Sequence, residues 1–424
     1  MKIASFKKVI TCQIGDELGG YGNGIVSVAI HDDLYLRGLC LDDGKKKVLM
    51  LSYDLVGIDL PDLTHIREIV KEELALEPQD VVISCTHNHS GPHSRWERST
   101  PLNERYMKEL FQWTREAVST LKEAEYKEVQ VYFYGKHCKE NINRRVVALE
   151  DNTARPLPSF KELMPFADGI TDDEVGIIAF YDEAKPGFTD VLVNFAAHPL
   201  ASHCPLQMKA GNTITADFPG ELRNYVEENT GAECFYVTGA AGDMFPKEFE
   251  QGFDAARKMG INLAKAVVES MANMRRNRER FVIKEPVLNT KMVDVNLYLR
   301  CNEEKKTSYA IRKDGMEVAP EGLHFLTIGK EVCFIGVPGE LLGEVGLMMK
   351  WCSPFRKTFV LYNSTDYVGY LCHPNVYVSK GFEYNGALFH SLTGFKLLQA
   401  AVRNMYELRG DEFAEELPEL DDLK

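Results

Sequence analysis

Val81-Val82-Ile83-Ser84-Cys85-Thr86-His87-Asn88-His89-Ser90-Gly91-Pro92-His93 is the stretch on which the reading of this 424-residue chain turns. Its first five residues are apolar or small, a run long enough for a strand and too short for a buried helix. A strand apolar on both faces belongs in a sheet covered on both sides. The polar run behind it then lies in a loop at a strand end, where α/β sheets present their chemistry. In extended backbone His87 and His89 point the same way. Imidazole suits Zn2+, and two aligned histidines can divide the work of ligand and proton carrier. Without further donors the same pair is simply polar loop. Gly91-Pro92 ends the strand.

Outward from this stretch, strand-like and helical patterns alternate. Residues 48–52, 129–134, 175–180, 191–195, 234–237, 323–328, 332–337 and 358–362 have the β-branched, apolar character of strands. Residues 61–76, 102–121, 219–228, 253–274 and 385–406 carry helical spacing. The alternation predicts the α/β class, as a single large domain with a central mixed β-sheet flanked by helices and a metal site at strand-end loops. Residues 151–173 hold three prolines and little periodicity, and are expected as a surface loop. The expected division is one domain over 1–410 and an acidic tail over 411–424.

Composition narrows the function. The net charge of −14 repels phosphate backbones, so nucleic acid is not expected as a partner. There is no apolar run of membrane-spanning length, so no integral membrane association is expected. The basic start, 1–9, has no apolar core behind it and does not resemble a secretory signal, which points to a cytoplasmic protein. None of the ten cysteines forms a CxxC pair, so they are expected as reduced core fillers and not as a zinc site.

Five further segments could carry chemistry, the first four of them at strand ends. Val191 to Pro199 delivers His198, by itself more often structural than functional, but beside the first cluster a third ligand. Phe334 to Leu341 runs through Pro338-Gly339 to Glu340, which is expected to open a helix, as a cap or as a cation ligand. Ser364 to Tyr370 puts Tyr367 and Tyr370 around a glycine. Thr238 to Met244 is a glycine-rich loop ending in Asp243, either a tight turn or a cradle of backbone N–H groups for an anion. Asn141 to Arg145 offers arginines able to bind an oxyanion or carboxylate, or merely a solvated face.

Taken in order, these segments resemble the N-terminal catalytic domain of the neutral/alkaline, non-lysosomal ceramidase family. Thr86-His87-Asn88-His89-Ser90-Gly91-Pro92 matches its Thr-His-Thr-His-Ser-Gly-Pro loop, and Asn141 to Arg144 its Asn-Ile-Asn-Arg. His198, Gly242-Asp243, Pro338-Gly339-Glu340, Tyr367, Tyr370, Tyr377 and Phe382-Glu383 follow in sequence. The resemblance implies a zinc-dependent hydrolase of a linear, non-peptide amide bond that uses a metal-activated water. It implies His87, His198, Glu340 and Tyr370 as metal ligands, and His89 and Arg144 as the catalytic pair at the reacting amide. Asp243 and Tyr384 are expected to contact substrate, which is ceramide or a smaller soluble N-acyl amide. Phe382 stands where the family has Tyr, the spacings between motifs are short, and the family's C-terminal β-sandwich domain is not expected. The alternatives are a zinc-dependent esterase or lactonase on the same ligands, and a non-catalytic binding protein. The oligomeric state is left open.

Overall fold

Strand Val81–Cys85 is buried along its whole length, as an apolar run without alternation requires. It is the edge of an eight-stranded sheet whose order is Glu233–Thr238, Gly187–Phe195, Glu174–Asp182, Lys127–His137, Lys2–Val9, Tyr35–Asp42, Lys47–Tyr53, Val81–Cys85. The outermost pair at each end is parallel and the pairs between are antiparallel, so the sheet is mixed. The structure is a computed structural model and describes residues 1–21, 24–95, 102–148, 153–156, 166–167, 169–202, 212–300, 311–313 and 316–411.

The two ends of that order approach each other. The Ser52 hydroxyl donates to Tyr236 O at 2.7 Å, and the Thr238 hydroxyl donates to Thr86 O at 2.7 Å. The loop after Cys85 therefore lies beside the loops that follow Phe195 and Thr238, although five and six strands, respectively, separate it from them in the hydrogen-bonding order.

The sheet has helices on one face only, because a second sheet covers the other. This second sheet runs Leu288–Tyr298, Met316–Ile328, Val332–Gly336, Lys357–Leu361, with its last pair parallel. Strand alternation shows the layering. In Glu174–Asp182, Ile177 and Ala179 join the core beneath helices Asp217–Thr230 and Phe253–Arg276. Ile178 and Phe180 join the core between the sheets, with Leu192, Leu326, Phe334 and Phe359. Phe334 and Phe359 stack there, ring centroids 4.7 Å apart. Helices Leu60–Leu74 and Glu104–Ser119 cover the remainder of the first sheet, and Gly343–Trp351 and Thr393–Arg409 cover the second. Both sheets share one core, so the chain folds as one unit of four layers.

Several expected elements differ in detail. The helix expected over 385–406 begins at Thr393, because residues 387–392 form an irregular link after the short helix Phe382–Gly386. The loop expected over 151–173 contains strands Thr153–Pro156 and Phe166–Ala167, both paired to Arg145–Ala148. The acidic tail lies outside the described residues beyond Asp411. Eight described cysteines are unpaired and six of them are buried, which suits the expected filling role. No helix among the described residues is long and apolar enough to cross a membrane.

A buried ion pair fixes the loop that follows Tyr53. Arg223 donates to both Asp54 oxygens, at 2.8 and 2.6 Å, and neither side chain is more than 2% exposed. Asp54 also accepts from Tyr35 N at 2.9 Å. Its carbonyl and that of Thr215 receive the Asn88 amide at 3.4 and 2.9 Å, so the pair anchors the residue between the two loop histidines.

Candidate metal centre and active site

The extended backbone ends at Cys85, and His87 sits in the left-handed region at φ 63°. The expectation that strand alternation aligns His87 with His89 is therefore corrected. A local turn brings the rings together, with the two Nε2 atoms 3.0 Å apart. Such backbone is uncommon for a side chain larger than glycine and collects at functional sites.

Each ligand candidate is oriented by a carbonyl. His87 Nδ1 lies 2.8 Å from Val56 O, and His198 Nδ1 lies 3.0 Å from Met244 O. A carbonyl only accepts, so both protons sit on Nδ1 and both Nε2 atoms carry a lone pair. These lone pairs share a neighbour: Glu340 Oε2 is 3.7 Å from His87 Nε2 and 3.6 Å from His198 Nε2. His87, His89 and His198 offer ligand nitrogens all within 4.8 Å of one another.

Glu340 does not open a helix. It lies in a two-residue strand, Glu340–Leu341, in parallel register with Tyr370–Leu371, and the helix starts at Gly343. Periodicity cannot see so short a pairing. The glycine-rich loop supports it by close approach. A Cβ on Gly242 would come within 2.7 Å of Glu340 O, and Gly242 N donates to Leu341 O at 2.9 Å. Gly239 N is likewise spent, on Phe195 O. Both glycine N–H groups of the loop are thus spent on packing it against its neighbours.

Two hydroxyls hold the Glu340 carboxylate: Tyr362 donates to Oε2 at 3.0 Å, and Tyr367 donates to Oε1. No lysine or arginine pairs with it among the described residues. Burial pushes the imidazoles down, His87 to about 3 and His198 below its usual range. Burial and the neighbouring rings hold His89 well below that range. Burial alone would raise the Glu340 carboxyl. The hydroxyls donated to it favour the charged form, and the group lies well below the usual carboxylate range. At neutral pH the centre holds neutral imidazoles around one buried carboxylate. Divalent metals require such deprotonated donors.

The remaining expected residues fall around this centre in different ways. Arg144 follows the short strand Asn141–Asn143, which pairs with Met244–Pro246, the segment whose Met244 carbonyl orients His198. Its Nη2 donates to Gly242 O at 2.8 Å and to the Tyr370 hydroxyl at 3.0 Å. Tyr370 thus stands beside Glu340 in register with its hydroxyl on Arg144, while the hydroxyls on the Glu340 carboxylate are those of Tyr362 and Tyr367. Both Asp243 oxygens are taken by protein donors, Gly343 N at 2.8 Å and Asn143 Nδ2 at 2.9 Å, and burial pushes its carboxyl up to about 6. Tyr384 lies in a packed layer with Tyr370 and Tyr377, its ring 4.1 Å from the Arg300 guanidinium.

Three contributors were not legible as site residues. Asn363, at φ 44°, donates to Val56 O at 3.1 Å beside the His87 ring. Tyr362 holds Glu340. Both follow a strand that sequence reasoning located, so the strand-end rule applied to residues 362–363 would have found them. Glu383 pairs with Arg144 Nε at 2.6 Å, and only its neighbourhood with Phe382 marked it.

No family model matches the chain, and no curated protein matches it in sequence. The similarity lies in structure. A neutral ceramidase from Pseudomonas aeruginosa superposes with a TM-score of 0.76 at 14% identity, over 99% of this chain and 76% of that one. A ceramidase complexed with C2 superposes with a TM-score of 0.77 at 13% identity, over 99% of this chain and 77% of that one. Across nearly its whole length, this chain has the fold of these two ceramidase structures.

Proposed function

We propose that the chain is a metal-dependent hydrolase of a linear, non-peptide amide, with ceramide or a smaller N-acyl amide as substrate. One observation carries the metal reading. The Nε2 atoms of His87 and His198 meet one oxygen of Glu340 at 3.6–3.7 Å, and a carbonyl fixes the proton of each ring on the far nitrogen. His87, His198 and Glu340 would hold the ion, with Tyr370 as fourth donor, and the nitrogen-oxygen set suits zinc. Bound there, the ion supplies Lewis acidity and lowers the pKa of water toward about 7.

The chain's own groups supply the rest. Glu340 stays ionised under two hydroxyl donors. His89 presents Nε2 to the centre, 3.0 Å from His87 Nε2, and there it would carry a proton to a departing amine. Arg144, held cationic, anchors a substrate oxygen by a charge-assisted bond. The amide preference follows the two ceramidases that share the fold.

The test is a ranking of kcat/KM for the zinc-loaded protein over N-acylsphingosines of varied chain length, small N-acyl amides and matched esters. Amides are expected to lead. A clear lead for esters or lactones reassigns the bond, and no turnover on any of them returns the chain to a binding role.

A further inference from the structure

We propose that Glu383 is a positioning residue: it grips one edge of the Arg144 guanidinium so that Nη1 is the end offered to the acyl oxygen of the substrate. The inference rests on the amide-hydrolase reading and adds a residue to it.

Arg144 has five N–H donors in a rigid fork. Nε donates to Glu383 Oε1 at 2.6 Å, and Nη2 donates to Gly242 O and to the Tyr370 hydroxyl. Nη1 makes no protein hydrogen bond among the described residues, and it is not among the sealed, unpartnered atoms. Arg144 is 6% exposed, and its guanidinium carbon lies 5.2 Å from the ring centre of Phe382, which is 59% exposed. One end of the fork is therefore left without a protein acceptor while the other two positions are fixed.

Glu383 is itself anchored. Its second oxygen receives Arg145 Nη1, and Arg145 Nη2 donates to the Ser379 hydroxyl at 2.9 Å and to Lys380 O at 3.0 Å. Glu383 is 2% exposed, and its carboxyl lies below the usual range because the two arginines outweigh burial. A carboxylate between two arginines, one reaching the site and one tied to helix Asn375–Ser379, transmits the placement of that segment to Arg144.

A carboxylate that only balanced charge would behave differently. Removing it would raise the positive potential at Arg144 and tighten anion binding. Removing a positioning group frees the fork and weakens anion binding.

The experiment is titration of octanoate, a carboxylate product mimic, by calorimetry on the full chain, together with kcat/KM on an N-acyl amide. Glu383→Gln is expected to weaken octanoate binding by about tenfold and to lower kcat/KM at unchanged zinc content. Arg144→Met should lose as much, and Glu383→Gln should add less than about twofold in that background. Glu383→Asp keeps the charge, moves it by one methylene and guards against misfolding; it should show a smaller loss at near wild-type melting temperature. Unchanged or tighter octanoate binding in Glu383→Gln overturns the proposal, as do additive losses with Arg144→Met. If octanoate behaves as stated and no amide is cleaved, the amide reading fails and the positioning role stands. If amides are cleaved equally by wild type and Glu383→Gln, the positioning role fails and the amide reading stands.

Discussion

His87 and His89 place their Nε2 atoms 3.0 Å apart. Val56 O fixes the His87 proton on the opposite nitrogen, so the His87 atom in this contact is a lone pair. Two lone pairs at this distance repel. The contact is stable when His89 donates a proton into it or when a cation draws the His87 lone pair away.

Zinc binding should therefore stabilise the fold. At a free concentration of about 100 times Kd, stabilisation of about 2.7 kcal/mol is expected, read as a rise in melting temperature and as one zinc per chain by elemental analysis. His87→Ala should lose both signals. Equal rises in wild type and variant would remove the metal centre.

Substituting His89 separates proton carrier from ligand. His89→Ala is expected to retain zinc stoichiometry and to lose turnover by about 10²–10⁴-fold. A variant that loses zinc as His87→Ala does would move His89 into the ligand set.

The Asp54–Arg223 pair should matter to stability far more than any surface pair. Arg223→Met strands a carboxylate that is 0% exposed, and such changes destabilise by about 3–5 kcal/mol. Urea unfolding measures it. Arg223→Met combined with Asp54→Asn should recover part of the loss, since the stranded charge is then gone. No recovery would mean that Arg223 acts through packing alone.

His324 should contribute to acid sensitivity away from the histidine cluster. It is buried, its Nε2 lies 2.8 Å from Gln79 O, and burial pushes its pKa down to about 4. Unfolded, it titrates near 6.5, so between these values the unfolded chain binds more protons than the folded one. Stability then falls as pH drops from about 6.5 to about 4, by roughly 3 kcal/mol for this group. His324→Gln should flatten that part of the stability–pH curve. An unaltered curve would show that His324 is protonated in the fold.

The histidine loops were legible because each follows a short apolar run, and such a run has few other uses. The second sheet was only partly legible. Strand Leu288–Tyr298 reads Leu-Asn-Thr-Lys-Met-Val-Asp-Val-Asn-Leu-Tyr, with several half-exposed positions and no unbroken apolar signal. The basic start Lys2–Val9 is a strand that its lysines hide: Ile3 and Ala4 point to opposite faces and both enter a core, while Lys2, Lys7 and Val9 are exposed. Glu340 was placed correctly near a strand end but in the wrong element, since two paired residues leave no periodic trace. The convergence of His87 with His198 depends on the curl that brings the ends of the first sheet together. Curl arises from twist summed over many strands, which no local pattern encodes.

The site draws on both sheets. His87 and His198 follow strands of the first, while Glu340, Asn363 and Tyr367 follow strands of the second. The side chains between the sheets, Ile178, Leu192, Phe334 and Phe359, accordingly act as a gauge block. Their bulk sets the gap across which imidazole faces carboxylate, so trimming one of them, well away from any reacting atom, would narrow or tilt the jaws before it unfolds the chain.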